Sequence, residues 1–437
     1  MLPTKKVSWG HKIKFLHDDV KGESFMQKYV LYGDGIHDDT DAIQELIDHS
    51  GPELSLPVPQ ENYLISRPLE IPSNFKLKLP RYAKIRLADG SNCFMLKNKT
   101  VYKPEKRSRD NVHPTEREMW RYLDLLSPDA EDTCHDFEIE GGIWDFNNLN
   151  QDENPIYTRK FDERNFCGYG MFFYNVKNFR ISNLTLKDPT IYAVLIDLAS
   201  YFTVENITFD FNFGNPIASN MDGIHLNGSC HHAVLRNLKG ACYDDLVALN
   251  SHEGSGGDIT NIEIDGIFAE NCHSAVRFLP GNQMVKNVHI SNVYGTYYQY
   301  CIGFTKFPKD STGGIDSVVL DNIHASKSKR LPIQEVHMGK WARYHFPLIV
   351  VENGLAVKHL CIEHLHRREY ENPTDTIHIA KDATVNTLII RDFTLENYTD
   401  SHCAFLVNHG TIQSLRIEGA AENDIENNGV IEKMICQ

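Results

Sequence analysis

The stretch Ile259-Thr260-Asn261-Ile262-Glu263-Ile264-Asp265-Gly266-Ile267 carries apolar side chains at its first, fourth, sixth and ninth positions. The alternation in its centre is the two-residue period of a β-strand that buries one face. Two residues separate the apolar positions at either end, which breaks this period. We therefore predict a short strand with a corner at each end.

The same template recurs at least nine times between residues 176 and 420. Its third apolar position falls at Ile181, Val204, Leu235, Ile264, Ile290, Leu320, Ile362, Ile390 and Ile417, at successive intervals of 23, 31, 29, 26, 30, 42, 28 and 27 residues. One interval has room for about three short strands and their corners, and stacked coils would lie about 4.8 Å apart. Asn at many corners, as at Asn183, Asn206, Asn292 and Asn322, suits the left-handed backbone needed there. We predict an all-β chain that forms a right-handed parallel β-helix.

Two other repeat-like folds fit the pattern less well. An antiparallel sandwich would show strands at intervals of about 8 to 12 residues, which the observed spacing exceeds. A leucine-rich repeat would show a leucine bias and a tighter period.

Segments outside the repeats predict a cap and two insertions. The acidic stretch Gly33–Thr40 precedes a helical stripe of Ala42, Ile43, Leu46 and Ile47, and a helix there would cover the open end of the solenoid. Residues 1–133 are expected to hold this cap, the first coils and a polar insertion at about 101–133. Residues 134–437 are expected to form the coils that carry the active site, as part of one continuous domain. The interval 324–356 is interpreted as a second insertion.

Charge and composition exclude some partners. Asp and Glu outnumber Lys and Arg by 59 to 44, and the net charge of -15 would repel nucleic acids and anionic membrane surfaces. The N-terminus lacks the apolar run of a secretory signal, so a cytoplasmic location is expected, or a secreted one if the sequence is a mature form. The ten scattered cysteines fit free thiols in a reducing compartment. The pattern does not determine an oligomeric state.

Three carboxylates converge when the repeats are aligned. If Ile224, Val247 and Val276 point inward, Asp222 stacks over Asp245, and Asp244 shares a column with His273. We expect these side chains to share one patch of an exposed surface. Their repulsion should raise at least one pKa, and glycoside hydrolysis needs one protonated and one ionised carboxyl group.

The three aligned segments resemble motifs of a known enzyme family. Asn220-Met221-Asp222, Tyr243-Asp244-Asp245 and Cys272-His273-Ser274 are similar to the Asn-Thr-Asp, Gly/Gln-Asp-Asp and Gly-His-Gly motifs of the polygalacturonase family of glycoside hydrolases. The resemblance implies that Asp244 is the general acid, that Asp222 and Asp245 activate water for inversion, and that His273 supports them. It implies no metal and no other cofactor. Met221, Tyr243, Cys272 and Ser274 depart from the motifs, so the site is a variant.

The substrate-binding residues are less well defined. The segment Gly303-Phe304-Thr305-Lys306 takes the place of the family's Arg-Ile-Lys strand, which binds a uronate, and it puts Gly303 and Thr305 where that strand has its two cations. The candidates for substrate binding are Arg277, Lys306, His225, Asn220 and Tyr298. Exposed tyrosines at 297, 298 and 300 would provide aromatic platforms. His252-Glu253 is interpreted as a loop, and a uronate, a neutral sugar and a differently charged sugar all stay open.

The leading hypothesis is an inverting glycoside hydrolase whose partner is a carbohydrate substrate. A polysaccharide lyase or epimerase on the same fold is the second hypothesis, and calcium dependence with ultraviolet-absorbing products would identify a lyase. A non-catalytic carbohydrate-binding solenoid, similar to a phage tail spike, is the third. It predicts sugar binding that survives Asp244→Asn and no turnover.

Overall fold

The computed structural model describes residues 30–99, 133–151, 170–213, 220–329, 346–419 and 425–436. The strands of these ranges form one connected sheet whose paired strands run parallel. The chain winds as a right-handed parallel β-helix, which confirms the predicted fold. Within the described ranges, no helix is long and apolar enough to cross a membrane.

The strands fall into three groups along the chain. The first coils contain β1 (Glu53–Ser55), β2 (Tyr63–Ile65), β3 (Leu69–Ile71), β4 (Phe75–Lys78), β5 (Lys84–Leu87), β6 (Leu96–Asn98), β7 (Cys134–Glu140) and β8 (Ile143–Asp145). The later coils contain long strands that bend around corners: β9 (Met171–Ser182), β11 (Val194–Asp210), β13 (His231–Ala241), β15 (Ile259–Cys272), β17 (Met284–Tyr297), β19 (Gly314–Lys327), β21 (Ala356–Glu369), β23 (Thr384–Asn397), β25 (Thr411–Glu418) and β27 (Val430–Cys436). Short strands close these coils: β10 (Thr185–Lys187), β12 (Ile224–Asn227), β14 (Asp245–Asn250), β16 (Ser274–Phe278), β18 (Ile302–Phe304), β20 (Ile349–Val351), β22 (Ile377–Ile379), β24 (Leu406–Asn408) and β26 (Ile425–Asn427).

The repeat markers form one continuous inward column. Val204 pairs with Ile181 on one side and with Leu235 on the other, and each later marker pairs with the next as far as Ile390 and Ile417. These side chains are buried in the core. Burial of one such side chain contributes about 1.5–3 kcal/mol, so the column is a main source of stability. The predicted register of the coils is therefore confirmed.

Asparagines at the corners adopt the expected left-handed backbone. Asn206 has φ 55°, and its side-chain amide donates to Asn183 Oδ1 at 3.0 Å while its own Oδ1 accepts from Asn237 at 3.0 Å. Asn322 likewise donates to Asn292 Oδ1 at 2.6 Å. The corners are thus held by stacked amides as well as by the strand pairing.

Helix α1 (Thr40–His49) packs on β3 at the start of the solenoid. It buries the predicted stripe of Ala42, Ile43, Leu46 and Ile47. Gln44 accepts from the backbone amide of Glu70 at 2.8 Å, which ties the helix to the strand edge. The buried Asp39 carboxylate accepts from the amides of Tyr32 and Gly33, and burial raises its pKa to about 6. The expected N-terminal cap is present.

The two expected insertions have different outcomes. Apart from Thr133, the polar insertion at about 101–133 lies outside the described residues. The second interval, 324–356, is shorter than we expected, because β19 continues to Lys327 and β20 begins at Ile349. Between these strands, residues 328–329 and 346–348 are described and lie outside the strands, and residues 330–345 lie outside the described ranges.

Candidate active site

The site lies at the corners that lead into three successive short strands, β12, β14 and β16. Ile224 pairs with Val247, and Val247 pairs with Val276, and all three side chains are buried. This register puts Asp222 beside Asp245 and Asp244 beside His273 on neighbouring coils. The alignment made from the sequence is therefore confirmed, although the roles of these residues are not tested by it.

Asp244, Asp245 and His273 form the centre of the site. Their ligand-type atoms all lie within 4.8 Å of one another. His273 Nδ1 lies 3.5 Å from Asp244 Oδ1 and 3.8 Å from Asp245 Oδ1. The Ser274 hydroxyl donates to Asp245 Oδ1 at 2.5 Å. The imidazole thus lies within ion-pair reach of both carboxyl groups.

The acids are less exposed than the sequence suggested. Side-chain exposure is 5% for Asp222 and 1% for Asp245, but 21% for Asp244. The expectation of one exposed patch is wrong for Asp222 and Asp245, because their carboxyl groups are enclosed in the corners, where they contact His225 and Ser274. Asp244 alone of the three presents a substantial surface to a ligand.

Burial changes the proton affinity of all three acids. It raises the pKa of Asp222 and of Asp245, and the nearby charge of Asp244 adds to both shifts. Burial also raises the pKa of Asp244, against the opposing charges of Arg277 and His225. A carboxyl group in this site therefore keeps its proton to a higher pH than one in water.

A charged network behind Asp222 was missed by the sequence analysis. His225 Nδ1 lies 2.5 Å from Asp222 Oδ2, and its Nε2 lies 2.9 Å from Glu253 Oε2. The Tyr192 ring stacks on the imidazole at 4.0 Å. Burial disfavours the imidazolium, but the charge of Glu253 and the bonds to both carboxylates raise the pKa of His225 to about 10. The two carboxyl groups therefore favour the imidazolium form of the buried His225.

This network corrects one interpretation and extends another. His225 was expected to bind substrate, yet its side chain is 1% exposed and both ring nitrogens face carboxylates. Glu253 lies in a loop after β14, as interpreted, and from there its carboxylate holds this imidazole, while Asn250 donates to its Oε1 at 3.2 Å. The sequence carries no signal for this contact, because the burial of His225 is visible only in the structure.

The candidate cations lie beside the acids and have partners. Arg277 approaches Asp245 Oδ2 at 3.5 Å and donates from Nε to Thr305 Oγ1 at 3.0 Å. The ammonium of Lys306 donates to Gly354 O at 2.8 Å, and its backbone amide donates to Glu352 Oε2 at 2.9 Å. Arg277 pairs in register with Gly303.

The tyrosines do not form exposed platforms. Tyr297, Tyr298 and Tyr300 are at most 4% exposed, so that expectation is wrong. The Tyr298 ring meets the His273 ring edge to face, with centroids 5.3 Å apart, which supports the imidazole from behind. Asn220, another expected substrate contact, reaches the site through its backbone amide, which donates to the Asp244 carboxylate.

One further depression lies elsewhere on the surface. A shallow groove of about 570 Å³ crosses the long strands β13 to β19 and is lined by residues that include His232, Glu263 and His289. It contains one carboxylate facing one histidine, at 3.1 Å, and none of the three acids described above. The groove therefore lacks the cluster of acids that acid–base catalysis would use, and the site at the corners is the better candidate.

Comparison with known proteins supports the same region. Residues 158–334 match the model for glycosyl hydrolases family 28, a stretch that contains Asp222, Asp244, Asp245 and His273. No curated protein sequence matches the chain.

Solved structures share the fold at low sequence identity. The family 28 exopolygalacturonase of Yersinia enterocolitica is 12% identical over 89% of this chain and 77% of its own, with a TM-score of 0.59. A mutant tailspike protein of E. coli bacteriophage HK620 in complex with pentasaccharide is 11% identical over 92% of this chain and 76% of its own, with a TM-score of 0.53. The resemblance to the polygalacturonase family that the three motifs indicated is thus confirmed, by the match of residues 158–334 to glycosyl hydrolases family 28.

Proposed function

We propose that this protein hydrolyses a glycosidic bond with inversion, using Asp244 as general acid and Asp222 with Asp245 to activate water. The observation that carries the proposal is the placement of the partly exposed Asp244 beside two buried carboxyl groups and His273. The reaction needs one protonated and one ionised carboxyl group, and this cluster supplies three carboxyl groups within reach of two basic side chains, His225 and Arg277.

Asp244 is suited to donate a proton. Burial raises its pKa, so it stays protonated at a pH where an ordinary aspartate is ionised. Its proton passes to the glycosidic oxygen as the bond from that oxygen to the anomeric carbon breaks. Its partial exposure lets a leaving oxygen come within hydrogen-bond distance.

Asp222 and Asp245 are suited to hold the attacking water. Burial raises the pKa of both acids, and the cations beside them oppose that shift: His225 contacts Asp222, and Arg277 lies 3.5 Å from Asp245. The water oxygen attacks the anomeric carbon, and its proton passes to one of these carboxylates. The closest approach of Asp244 and Asp245, within 4.8 Å, is shorter than the separation of about 6.5–9.5 Å usual for inverting pairs, so inversion rests on the family resemblance.

A panel of pectic, rhamnogalacturonan and neutral oligosaccharides tests the proposal. Wild-type protein should release reducing ends, and NMR should show the inverted anomer first. Asp244→Asn keeps the shape of the side chain but has no acidic proton, so turnover should fall about 10²- to 10⁴-fold. Glu270→Gln, at an exposed position on β15, is the matched control and should retain full activity. No turnover of any sugar by the wild type would refute the hydrolase.

Two specific observations define the competing functions. The tailspike with a similar fold favours a carbohydrate-binding solenoid, for which Asp244→Asn would leave binding intact and the wild type would show no turnover. The trio Asp244, Asp245 and His273 has the spacing of cation ligands, which favours a metal-dependent lyase. For a lyase, chelation would abolish the release of ultraviolet-absorbing products.

A further inference from the structure

We propose that the site takes a neutral sugar rather than a uronate. This inference deepens the proposed function and rests on it for the location of the sugar. It follows from two observations. Arg277 and Lys306 are bonded to other groups of the protein, and the carboxyl group of Glu352 lies beside them.

Recognition of a uronate requires a cation that faces the sugar, most often an arginine in a forked pair with the carboxylate. Four basic side chains of the described residues contact the acids or the strand beside them: His225, His273, Arg277 and Lys306. His225 is enclosed between Asp222 and Glu253, and His273 lies between Asp244 and Asp245. Neither imidazole is directed at a substrate.

Arg277 and Lys306 are also engaged by the protein. Arg277 is bonded to Thr305, and Asp245 lies 3.5 Å from its guanidinium. The Lys306 ammonium is drawn onto Gly354 O at 2.8 Å. A uronate that recruited either side chain would break contacts that hold Asp245 or the strand in place, and this lowers the affinity that such a contact adds.

The neighbourhood of Arg277 also opposes a second carboxylate. Glu352 lies close enough to Arg277 and Tyr300 for each to feel its charge, and burial raises its pKa. A uronate placed here would meet Glu352 as well as Asp245. Like charges in a poorly solvated site repel strongly.

The strand that faces this region leaves no room for another cation. Gly303 pairs with Arg277, and a Cβ at Gly303 would lie 2.4 Å from the Tyr300 ring. The buried phenol therefore covers this position. Thr305, two residues on, uses its hydroxyl for Phe278 O and for Arg277. Within the described residues, β18 and the residue after it therefore offer no cation to a ligand at Gly303 or Thr305.

Matched pairs of sugars test the inference. Trisaccharides of galacturonate, glucuronate and mannuronate are each compared with their carboxyl-reduced counterparts, which differ only in the charged group. Binding is measured by calorimetry at pH 7 with Asp244→Asn protein, so that turnover does not interfere. We expect at least one reduced sugar to bind 10-fold or more tightly than its uronate. Tighter or equal binding of the uronates, or no binding of any pair, would overturn the inference.

Glu352→Gln provides a gain-of-function test. The amide still accepts from the Lys306 backbone but removes one negative charge beside Arg277, so affinity for the uronates should rise several-fold while affinity for the neutral sugars stays constant. Glu270→Gln, at an exposed position on β15, should change neither. Unchanged uronate affinity in Glu352→Gln would contradict the role given to this carboxyl group.

Turnover of the same sugars by wild-type protein separates the two proposals. Cleavage of uronates in preference to neutral sugars would refute the neutral-sugar inference and leave the hydrolase standing. Tight binding of a neutral sugar without cleavage of any member would refute the hydrolase and leave the inference standing.

Discussion

His225 Nδ1 lies 2.5 Å from Asp222 Oδ2, so a buried imidazole and a buried carboxyl group share one hydrogen bond beneath the candidate reaction centre. On its other side the imidazole faces Glu253 at 2.9 Å. Glu253 thereby influences Asp222 without touching the space available to a ligand. Charged groups linked in this way within a poorly solvated site affect one another strongly.

Glu253→Gln should alter the pH dependence of turnover. Glu253 helps to raise the pKa of His225 to about 10, so the amide should lower that pKa and let the imidazolium lose its proton at a lower pH. We expect the alkaline limb of kcat/KM to move to lower pH and kcat to fall about 10-fold. The profile is measured between pH 4 and 10 with a cleaved oligosaccharide.

Glu263→Gln is the matched control for that experiment. Glu263 faces His289 at 3.1 Å in the same carboxylate–imidazole arrangement, but on the outer face of β15. Its profile should equal that of the wild type. A Glu253→Gln profile that also equals the wild type would show that Glu253 does not act on the site.

Asp245→Asn should stabilise the fold at neutral pH while abolishing turnover. Burial raises the pKa of Asp245 above its unfolded value, so its contribution to stability is present below about pH 4 and is lost as pH rises through the folded pKa. The amide does not ionise. We expect the variant to be more stable than the wild type at pH 8 and about equally stable at pH 4.

Thermal unfolding of Asp245→Asn and wild type between pH 4 and 8 measures this difference. Glu270→Gln, an exposed acid outside the site, should follow the wild-type curve. A difference that shrinks with rising pH would have the wrong sign for a carboxyl group with a raised pKa.

Asn206→Ala should weaken a corner of the solenoid more than Asn206→Gly does. Both variants lose the two side-chain hydrogen bonds to Asn183 and Asn237. Alanine must also adopt φ 55°, which costs about 1–2 kcal/mol. Denaturation by guanidinium should rank wild type above glycine and glycine above alanine. Asn386→Ala, at an exposed strand position, is the control. Equal midpoints for the two Asn206 variants would refute the backbone contribution.

The sequence predicted the register of the coils because strand periodicity fixes the direction of each side chain. Once Ile224, Val247 and Val276 are placed inward, the neighbouring positions of Asp222, Asp245, Asp244 and His273 follow without further information. The corner asparagines were predictable for the same reason, since an interrupted period requires a bend.

The burial of the acids and the residues that pack behind them could not be predicted from the strand period. Glu253 reaches His225 across 28 residues from the segment after β14, whose path no period determines. Tyr192 and Tyr298 cover the site from different coils. The sequence therefore identified which acids converge but not how far they are enclosed.

The division of the centre among β12, β14 and β16 has a consequence for biosynthesis. A nascent chain that has released only the residues up to Asp245 holds both water-activating candidates but lacks the imidazole and the guanidinium that balance them. The candidate site is therefore complete only when the third coil, which carries His273 and Arg277, packs on the second. After refolding, the return of turnover would report that these three coils have packed together. A circular dichroism signal would report only that strands have formed.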